Sequence, residues 1–207
     1  MRFFNLQRIG MDRILIKEVQ ERFPDYIIHS LGNNVVRLSA EGKSFIAKSI
    51  WHDTSDPDGD MGIKARDKAY RMELKVIRML PSWWGLRLVH TFKTPLNRVI
   101  IMNEIVHMQW SSYRGNDVET AKRLLKQVKW LHSHNISHND LELKNILLTD
   151  EGPVVIDFEK SSFATKEKMK NDYRVMMTAC KENKYTKSIA TILQRYTEPR
   201  RSKRKTI

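Results

Sequence analysis

The segment ISHNDLELKNILL, residues 136–148, places polar side chains between two apolar stretches. It holds Asp140 and Asn145, which stand five residues apart, and Ile-Leu-Leu follows at once. Further along, the run PVVIDF contains Asp157 after a turn around Asp-Glu-Gly. Carboxylate and amide oxygens are hard ligands of the kind that Mg²⁺ and Mn²⁺ prefer. Together these residues predict a site for a divalent cation and a phosphate group.

The two apolar runs predict a β-hairpin, and its register decides which polar residues meet. With the turn centred on Glu151, antiparallel pairing places Asn145 opposite Asp157. Asp140 lies a few residues upstream, within reach of the same point. The alternative is a solvated loop with a structural asparagine, since an Asp and an Asn at this spacing are by themselves mostly chance.

Two charged residues in the first half of the chain stand on apolar faces. Lys48 alternates with Ile46 and Ile50, so all three share one face of a predicted strand. Glu73 shares a helical face with apolar residues at i−3, i+4 and i+7. An inward lysine needs an opposite charge, so the pattern predicts a buried ion pair that could hold a nucleotide phosphate. The alternative is two surface residues whose charged heads reach water.

The elements that position these residues follow from periodicity and turn residues. Strands are predicted at 26–31, 34–40, 44–50, 86–92 and 98–102, a hairpin over 145–158, and helices at 11–22, 63–80, 117–134, 165–182 and 186–196. Residues 52–62 read as an acidic loop. Asn116 with Glu119 predicts a capping box, and Asn135 closes the same helix. Strands with one helix, then helices with one hairpin, predict an α+β protein of two lobes.

Length, net charge and cysteine count restrict the classes to which this protein can belong. The 207 residues fit one domain or two small lobes, and a net charge of +13 predicts attraction to polyanions such as RNA or nucleotides. One cysteine, Cys180, excludes an internal disulfide and favours a reducing compartment. The chain shows neither a signal-peptide core nor an apolar run of membrane-spanning length, so we expect a cytoplasmic protein without a membrane partner.

Taken together, the motifs resemble the protein-kinase superfamily. ISHNDLELKN resembles the catalytic loop, VVIDFE the metal-binding Asp-Phe-Gly segment, and FIAK the strand that carries the ATP lysine. The resemblance runs from about Gly32 to Val175. It implies a two-lobed kinase-like fold, with a small β-rich N-lobe and a truncated helical C-lobe. The implied organisation is a helical extension at 1–28, an N-lobe at 29–105, a C-lobe at 106–196 and a basic tail at 197–207.

This resemblance implies a role for each site residue. Asp140 would be the catalytic base, with Asn145 and Asp157 as ligands of Mg²⁺ or Mn²⁺. Lys48, paired with Glu73, would bind ATP. The remaining ATP-binding positions implied by the resemblance are Gly32 and Asn34 in the phosphate-covering loop, Met102 as gatekeeper, and Asn103 to Ile105 as the hinge that binds adenine through its backbone.

The sequence also departs from the family pattern. Asn34 and Arg37 stand where glycines are expected, although Asn33 or Asn34 could make the turn because asparagine tolerates positive φ. Glu159 replaces the glycine of the metal-binding segment, and there is no Ala-Pro-Glu motif. These features resemble compact, atypical kinases: the RIO-like group and the kinase subunit of the KEOPS tRNA-modification complex. Compact kinase-like proteins that phosphorylate lipopolysaccharide core sugars also tolerate an acid after Asp-Phe.

We therefore expect an ATP-dependent phosphotransferase, in the first instance a serine/threonine protein kinase of compact atypical type. One alternative is an ATPase or kinase subunit of a tRNA-modification complex. Another is a pseudokinase that serves as a binding module, which Glu159 and the glycine-poor loop favour. For the basic tail, a nuclear-targeting signal, an RNA-binding segment and a solubilising terminus are the open alternatives. His132 and His134 are expected at an exposed helix end, whereas His138 is expected to brace the catalytic loop.

Lys144, four residues after Asp140, could reach the γ-phosphate during transfer and offset its charge. A solvated lysine is the alternative. We expect Lys144→Met to reduce kcat strongly and to leave ATP affinity nearly unchanged, because the charge acts on the group being transferred. Steady-state kinetics with varied ATP measures both quantities, and an unchanged kcat would reject this role.

Overall fold

The computed structural model describes residues 13–51, 59–94 and 97–197. The predictions for residues 1–12, 52–58 and 198–207 lie outside the described residues. Contacts divide the chain into two compact units, Met1–Ile105 and Val106–Ile207. Strands dominate the first unit and helices the second, which confirms the α+β class. In the described residues, no helix is both long enough and apolar enough to cross a membrane.

The first unit is built on a five-stranded antiparallel sheet. Its strands lie in the order β1-β2-β3-β5-β4, and each predicted strand is present within two residues at either end. The strands are β1 Ile27–Gly32, β2 Val35–Ala40, β3 Lys43–Trp51, β4 Leu88–Lys93 and β5 Asn97–Asn103. Asn33 and Asn34 form the first hairpin turn with φ of 53° and 60°, which confirms the turn expected of these asparagines.

Two helices belong to the first unit. Helix α1, described from 13 to 22, joins the hydrophobic core through Leu15 and Val19. The strand residues of that core include Ala47, so α1 covers the face of the sheet opposite Lys48. Helix α2 runs from Gly59 to Met79, four residues earlier than its predicted start at Ile63. The part of the predicted acidic loop from residue 59 to residue 62 is therefore helical.

The second unit packs three helices around a hairpin. Helix α3 packs against α4, α5 and strand β8. The elements are α3 Asp117–Ser133, β6 Ile136–Ser137, β7 Ile146–Thr149, β8 Gly152–Val155, β9 Ser162–Phe163, α4 Lys166–Glu182 and α5 Lys187–Thr197. The Asn116 side chain accepts from the amides of Val118 and Glu119, which confirms its half of the predicted capping box, whereas the Glu119 carboxylate lies 3.4 Å from Arg123. Asn135 follows α3 with φ of 58°, which confirms the predicted helix end. Strands β6 and β9 were not predicted, because two residues carry no periodicity.

The β7–β8 hairpin corrects the predicted register. Ile146 pairs with Val155 and Thr149 with Gly152, so the turn lies between residues 150 and 151 rather than on Glu151. The predicted pairing of Asn145 with Asp157 is therefore wrong by one residue. The carbonyl of Asn145 instead accepts from the amide of Ile156 at 2.9 Å. A two-residue turn closes the hairpin, and Gly152 completes it at φ of 119°.

Candidate active site

The first unit contains the predicted lysine–glutamate pair. The Nζ atom of Lys48 lies 3.1 Å from both carboxylate oxygens of Glu73. The Glu73 side chain is 1% exposed and that of Lys48 is 14% exposed. A carboxylate this deeply buried needs a counter-charge, and the lysine supplies it with two hydrogen bonds. The pair fixes the ammonium group on one face of strand β3.

The residues proposed to cover the phosphates lie at the β1–β2 turn. Gly32 has φ of 81° and Asn34 has φ of 60°. The Asn34 carbonyl accepts from the amide of Ser49 at 2.8 Å, which joins the turn to β3. A Cβ added at Gly32 would meet no atom within 4 Å, so its positive φ, rather than crowding, favours glycine here.

The predicted gatekeeper and hinge residues lie at the end of β5. Met102 is buried and pairs with Ile46 across the sheet. The Asn103 side chain accepts from the amide of Arg87 at 2.6 Å and donates to the carbonyl of Gly85 at 2.9 Å. These bonds fix the turn before β4, so the Asn103 side chain has a structural role.

An ion pair that was not predicted holds the segment between Asn103 and Ile105. The Nε atom of Arg37 donates to Glu104 Oε1 at 2.8 Å, and Nη2 lies 2.5 Å from the same oxygen. Arg37 pairs with Ile46 in the sheet, so it lies on the same face as Lys48. This arginine, at a position where a glycine was expected, ties β2 to the predicted hinge.

In the second unit, Asp140 and Asn145 are in direct contact. The Asn145 Nδ2 atom donates to the backbone carbonyl of Asp140 at 2.8 Å and to its Oδ2 at 3.1 Å. Both partners are acceptors, so the amide nitrogen must face them and Oδ1 of Asn145 points to the other side. That oxygen is the one suited to bind a cation. Asp157 follows the hairpin at φ of 65°.

Two lysines lie near Asp140, and only one was predicted. The Nζ atom of Lys160 lies 2.9 Å from Asp140 Oδ2. The predicted Lys144 instead lies 2.7 Å from Glu142. That hydrogen bond raises the pKa of Lys144, and the charges of Asp140 and Asp157 act in the same direction. The position of Lys160, three residues after Asp157, is the signal that could have identified it.

A buried aspartate on α4 fixes the backbone of the loop that carries Asp140. Asp172 Oδ2 accepts from the amide of His138 at 2.9 Å, and Oδ1 accepts from that of Asn139 at 2.8 Å. Asp172 is fully buried and was not among the predicted site residues. Its spacing with Met176 and Cys180, on the buried face of α4, is the available sequence signal.

The predicted exposure of His132 is wrong. Its ring is 8% exposed, and Nε2 lies 2.9 Å from Asp172 Oδ2. His132 follows Val128 by four residues, so it continues the buried face of α3 toward α4. His134 is exposed, as predicted, and stacks on Trp130 with ring centroids 4.0 Å apart.

His138 braces the loop, as predicted. Its Nδ1 accepts from the amide of Asp140 at 3.2 Å, so Nε2 carries the proton and donates to the carbonyl of Ile156 at 2.9 Å. Burial lowers the pKa of His138 and outweighs the opposing effects of the Ile156 carbonyl and the nearby carboxylates. The ring is therefore neutral and joins the loop that carries Asp140 to the residue before Asp157.

A strand lysine paired with a helix glutamate is typical of a kinase-like fold, as is an Asp–Asn pair just before a hairpin that leads to a second aspartate. The sheet-rich first unit and helical second unit agree with that fold. Residues 103–199 match the sequence model of the Lipopolysaccharide kinase (Kdo/WaaP) family, which belongs to the protein-kinase-like superfamily. The matched segment includes Asp140, Asn145 and Asp157.

A comparison with curated proteins finds no match. The narrower resemblance to RIO-like and KEOPS kinases stays a hypothesis.

The buried His138 predicts a pH dependence of stability. The unfolded chain protonates this histidine near its ordinary pKa of 6.5, whereas the folded pKa is lower. Its contribution is therefore fully present above pH 6.5 and is lost as the pH falls toward the folded pKa. We expect His138→Gln, which keeps one donor and one acceptor, to reduce the slope of unfolding free energy against pH. The exposed His134→Gln is the control, and an equal slope in wild type and His138→Gln would contradict the assignment.

The contacts of Asp172 predict that replacing this residue lowers the stability of the loop that carries Asp140. Asp172→Asn keeps the volume but turns one acceptor toward a donor, which we expect to cost about 3 kcal/mol. Denaturant unfolding measures that cost, and hydrogen exchange at the His138 and Asn139 amides locates it. Glu182→Gln, an exposed change on the same helix, is the control. Unaltered exchange at both amides would exclude the anchoring role.

Proposed function

We propose that this protein is an ATP-dependent phosphotransferase that uses a divalent cation to phosphorylate a hydroxyl group. The observation that carries the proposal is the kinase-family match over the segment in which Asp140 and Asn145 are hydrogen-bonded. The Lys48–Glu73 pair supports it independently, because it lies outside the matched residues.

The residues present fit a divalent cation. Asn145 presents a carbonyl oxygen fixed by the hydrogen bonds of its amide nitrogen, and Asp157 adds a carboxylate. An all-oxygen donor set suits Mg²⁺ or Mn²⁺ rather than a soft metal. When bound, such an ion would offset the negative charge of the phosphates. These two residues are the proposed ligands.

The chain's own residues supply binding and proton transfer. Lys48, held by Glu73, would bind the ATP phosphates, and the turn at Gly32 and Asn34 would cover them. Met102 and the backbone of 103–105 would line the adenine position.

Asp140 would take the proton of the acceptor hydroxyl. As the hydroxyl oxygen bonds to the γ-phosphorus, the bond to the β–γ bridging oxygen breaks and its electron pair leaves with ADP. Lys144, which must leave Glu142 to act, would offset charge on the transferred group.

A sugar hydroxyl is the acceptor that the comparisons favour, because the matching family is one of lipopolysaccharide kinases. The net charge of +13 agrees with an anionic acceptor. A serine or threonine hydroxyl of a protein is the second candidate, because Asp140 would perform the same proton transfer on it. A cytoplasmic location and contact of the basic surface with RNA remain further proposals.

A pseudokinase is the candidate from another class. Glu159 in place of the expected glycine favours it, as does Arg37, which is committed to Glu104. The hydrogen-bonded pairs at Lys48 and Asp140 argue for catalysis, because a binding module has no need of both.

Asp157→Ala tests the proposed function. We expect it to abolish metal-dependent transfer from γ-labelled ATP, because it removes a charged metal ligand, and to leave the melting temperature nearly unchanged. The acceptors are an acidic sugar, a basic protein that contains serine and threonine, and water. Asp150→Asn, in the hairpin turn, is the matched control and should retain activity. Undiminished transfer by Asp157→Ala would rule out the metal assignment.

A further inference from the structure

The carboxylate of Asp140 is held on one oxygen. In the part of the chain that the structure describes, Lys160 Nζ at 2.9 Å and Asn145 Nδ2 at 3.1 Å both reach Oδ2. The side chain of Lys160 is 63% exposed, whereas that of Asp140 is only 11% exposed. The charge of Lys160 therefore reaches a shielded carboxylate from the surface. Two donors on Oδ2 leave Oδ1 as the oxygen on which a proton can arrive.

The backbone of Lys160 is fixed to the same loop that carries Asp140. The Asn139 side chain donates to the Lys160 carbonyl at 2.8 Å. One residue later, the amide of Ser161 donates to the carbonyl of Phe158 at 3.0 Å. Ser162 then pairs with Ser137 in the small β6–β9 sheet. The segment after Asp157 is thus held in place, which reduces the entropy lost when the lysine side chain is ordered on Asp140.

We propose that Lys160 is a positioning residue for proton transfer by Asp140. It binds Oδ2 so that Oδ1 accepts the acceptor's proton, and it keeps its own three protons throughout. The hydroxyl's electron pair forms the new bond to the γ-phosphorus, and the breaking bond's pair leaves with ADP. This inference rests on the proposed function and assigns a residue outside the predicted catalytic set.

Two neighbouring lysines, Lys144 and Lys168, make contacts that differ from those of Lys160. Lys144 binds Glu142 at 2.7 Å, so a charge there acts on Asp140 only from a distance. Lys168 donates to the hydroxyl of Ser162 at 2.8 Å and so contacts the Lys160 segment without contacting Asp140. Lys168 therefore offers a matched control: an exposed lysine of α4 that contacts the same segment and can be removed without changing the contacts of the carboxylate.

The experiment compares Lys160→Met, Lys160→Arg and Lys168→Met with wild type. For each protein, kcat and KM for ATP are measured from the transfer of phosphate to water. We expect Lys160→Met to lower kcat on the order of tenfold to a hundredfold, because a misdirected base loses its alignment. KM for ATP and the melting temperature should stay within twofold and a few degrees of wild type. Lys160→Arg, which retains the charge, should recover most of the loss, and Lys168→Met should match wild type.

The outcomes separate this inference from the proposed function. If wild type transfers phosphate and Lys160→Met keeps its kcat, the positioning role is wrong while the phosphotransferase stands. Equal losses in Lys160→Met and Lys168→Met would also overturn it, because the effect would then belong to the segment. If wild type releases no phosphate from ATP to any acceptor, both proposals fail. A loss in Lys160→Met that Lys160→Arg repairs supports the inference.

Discussion

The candidate site in the second unit depends on one buried carboxylate. The Asp172 carboxylate accepts hydrogen bonds from the backbone amides of His138 and Asn139. These bonds fix the backbone conformation of the two residues that precede Asp140. A fully buried acid that lost these donors would pay a large desolvation penalty, so the bonds are difficult to give up. They also hold Asn139 at φ of 66°, a conformation that costs an isolated residue on the order of 1 kcal/mol or more.

The network that starts at Asp172 reaches two predicted residues of the loop, Asp140 and Asn145. His138, neutral because it is buried, joins the amide of Asp140 to the carbonyl before Asp157. Asn145 then binds the carboxylate of Asp140, and Lys160 binds the same oxygen from a segment that Asn139 holds. The positions of the proposed base and of one proposed metal ligand are therefore fixed by polar bonds within the second unit, before any ligand is considered.

The sequence predicts the features that depend on neighbours in the chain. Alternation gives the five strands, helical spacing gives α3 to α5, and the asparagines at 33 and 34 give the turn with positive φ. Asp140 and Asn145 are also recognisable, because they lie close together in one short segment. The ion pair of Lys48 with Glu73 joins residues 25 positions apart, yet each stands out as a charge on an apolar face.

Features that depend on distant partners or on exact register are harder to predict. Asp172 lies 34 residues from His138, and one acid on a helix with charged neighbours gives a weak signal. Lys160 offers only its position three residues after Asp157, and its contact with Asp140 is formed by folding. The Asn145–Asp157 pairing failed by one residue because the turn holds an even number of residues, and periodicity does not fix where a turn is centred. The predicted exposure of His132 was wrong because its buried partner, Asp172, was not recognised from the sequence.

Asp140 is the proposed base of a phosphotransferase, and its carboxylate is the group whose removal should matter most. The most direct measurement is the metal-dependent initial rate of γ-phosphate transfer from labelled ATP by wild type and by Asp140→Asn, with equal melting temperatures. Loss of a general base predicts a rate about a hundredfold to ten-thousandfold lower in the variant. Equal rates in the two proteins would show that Asp140 is not the base.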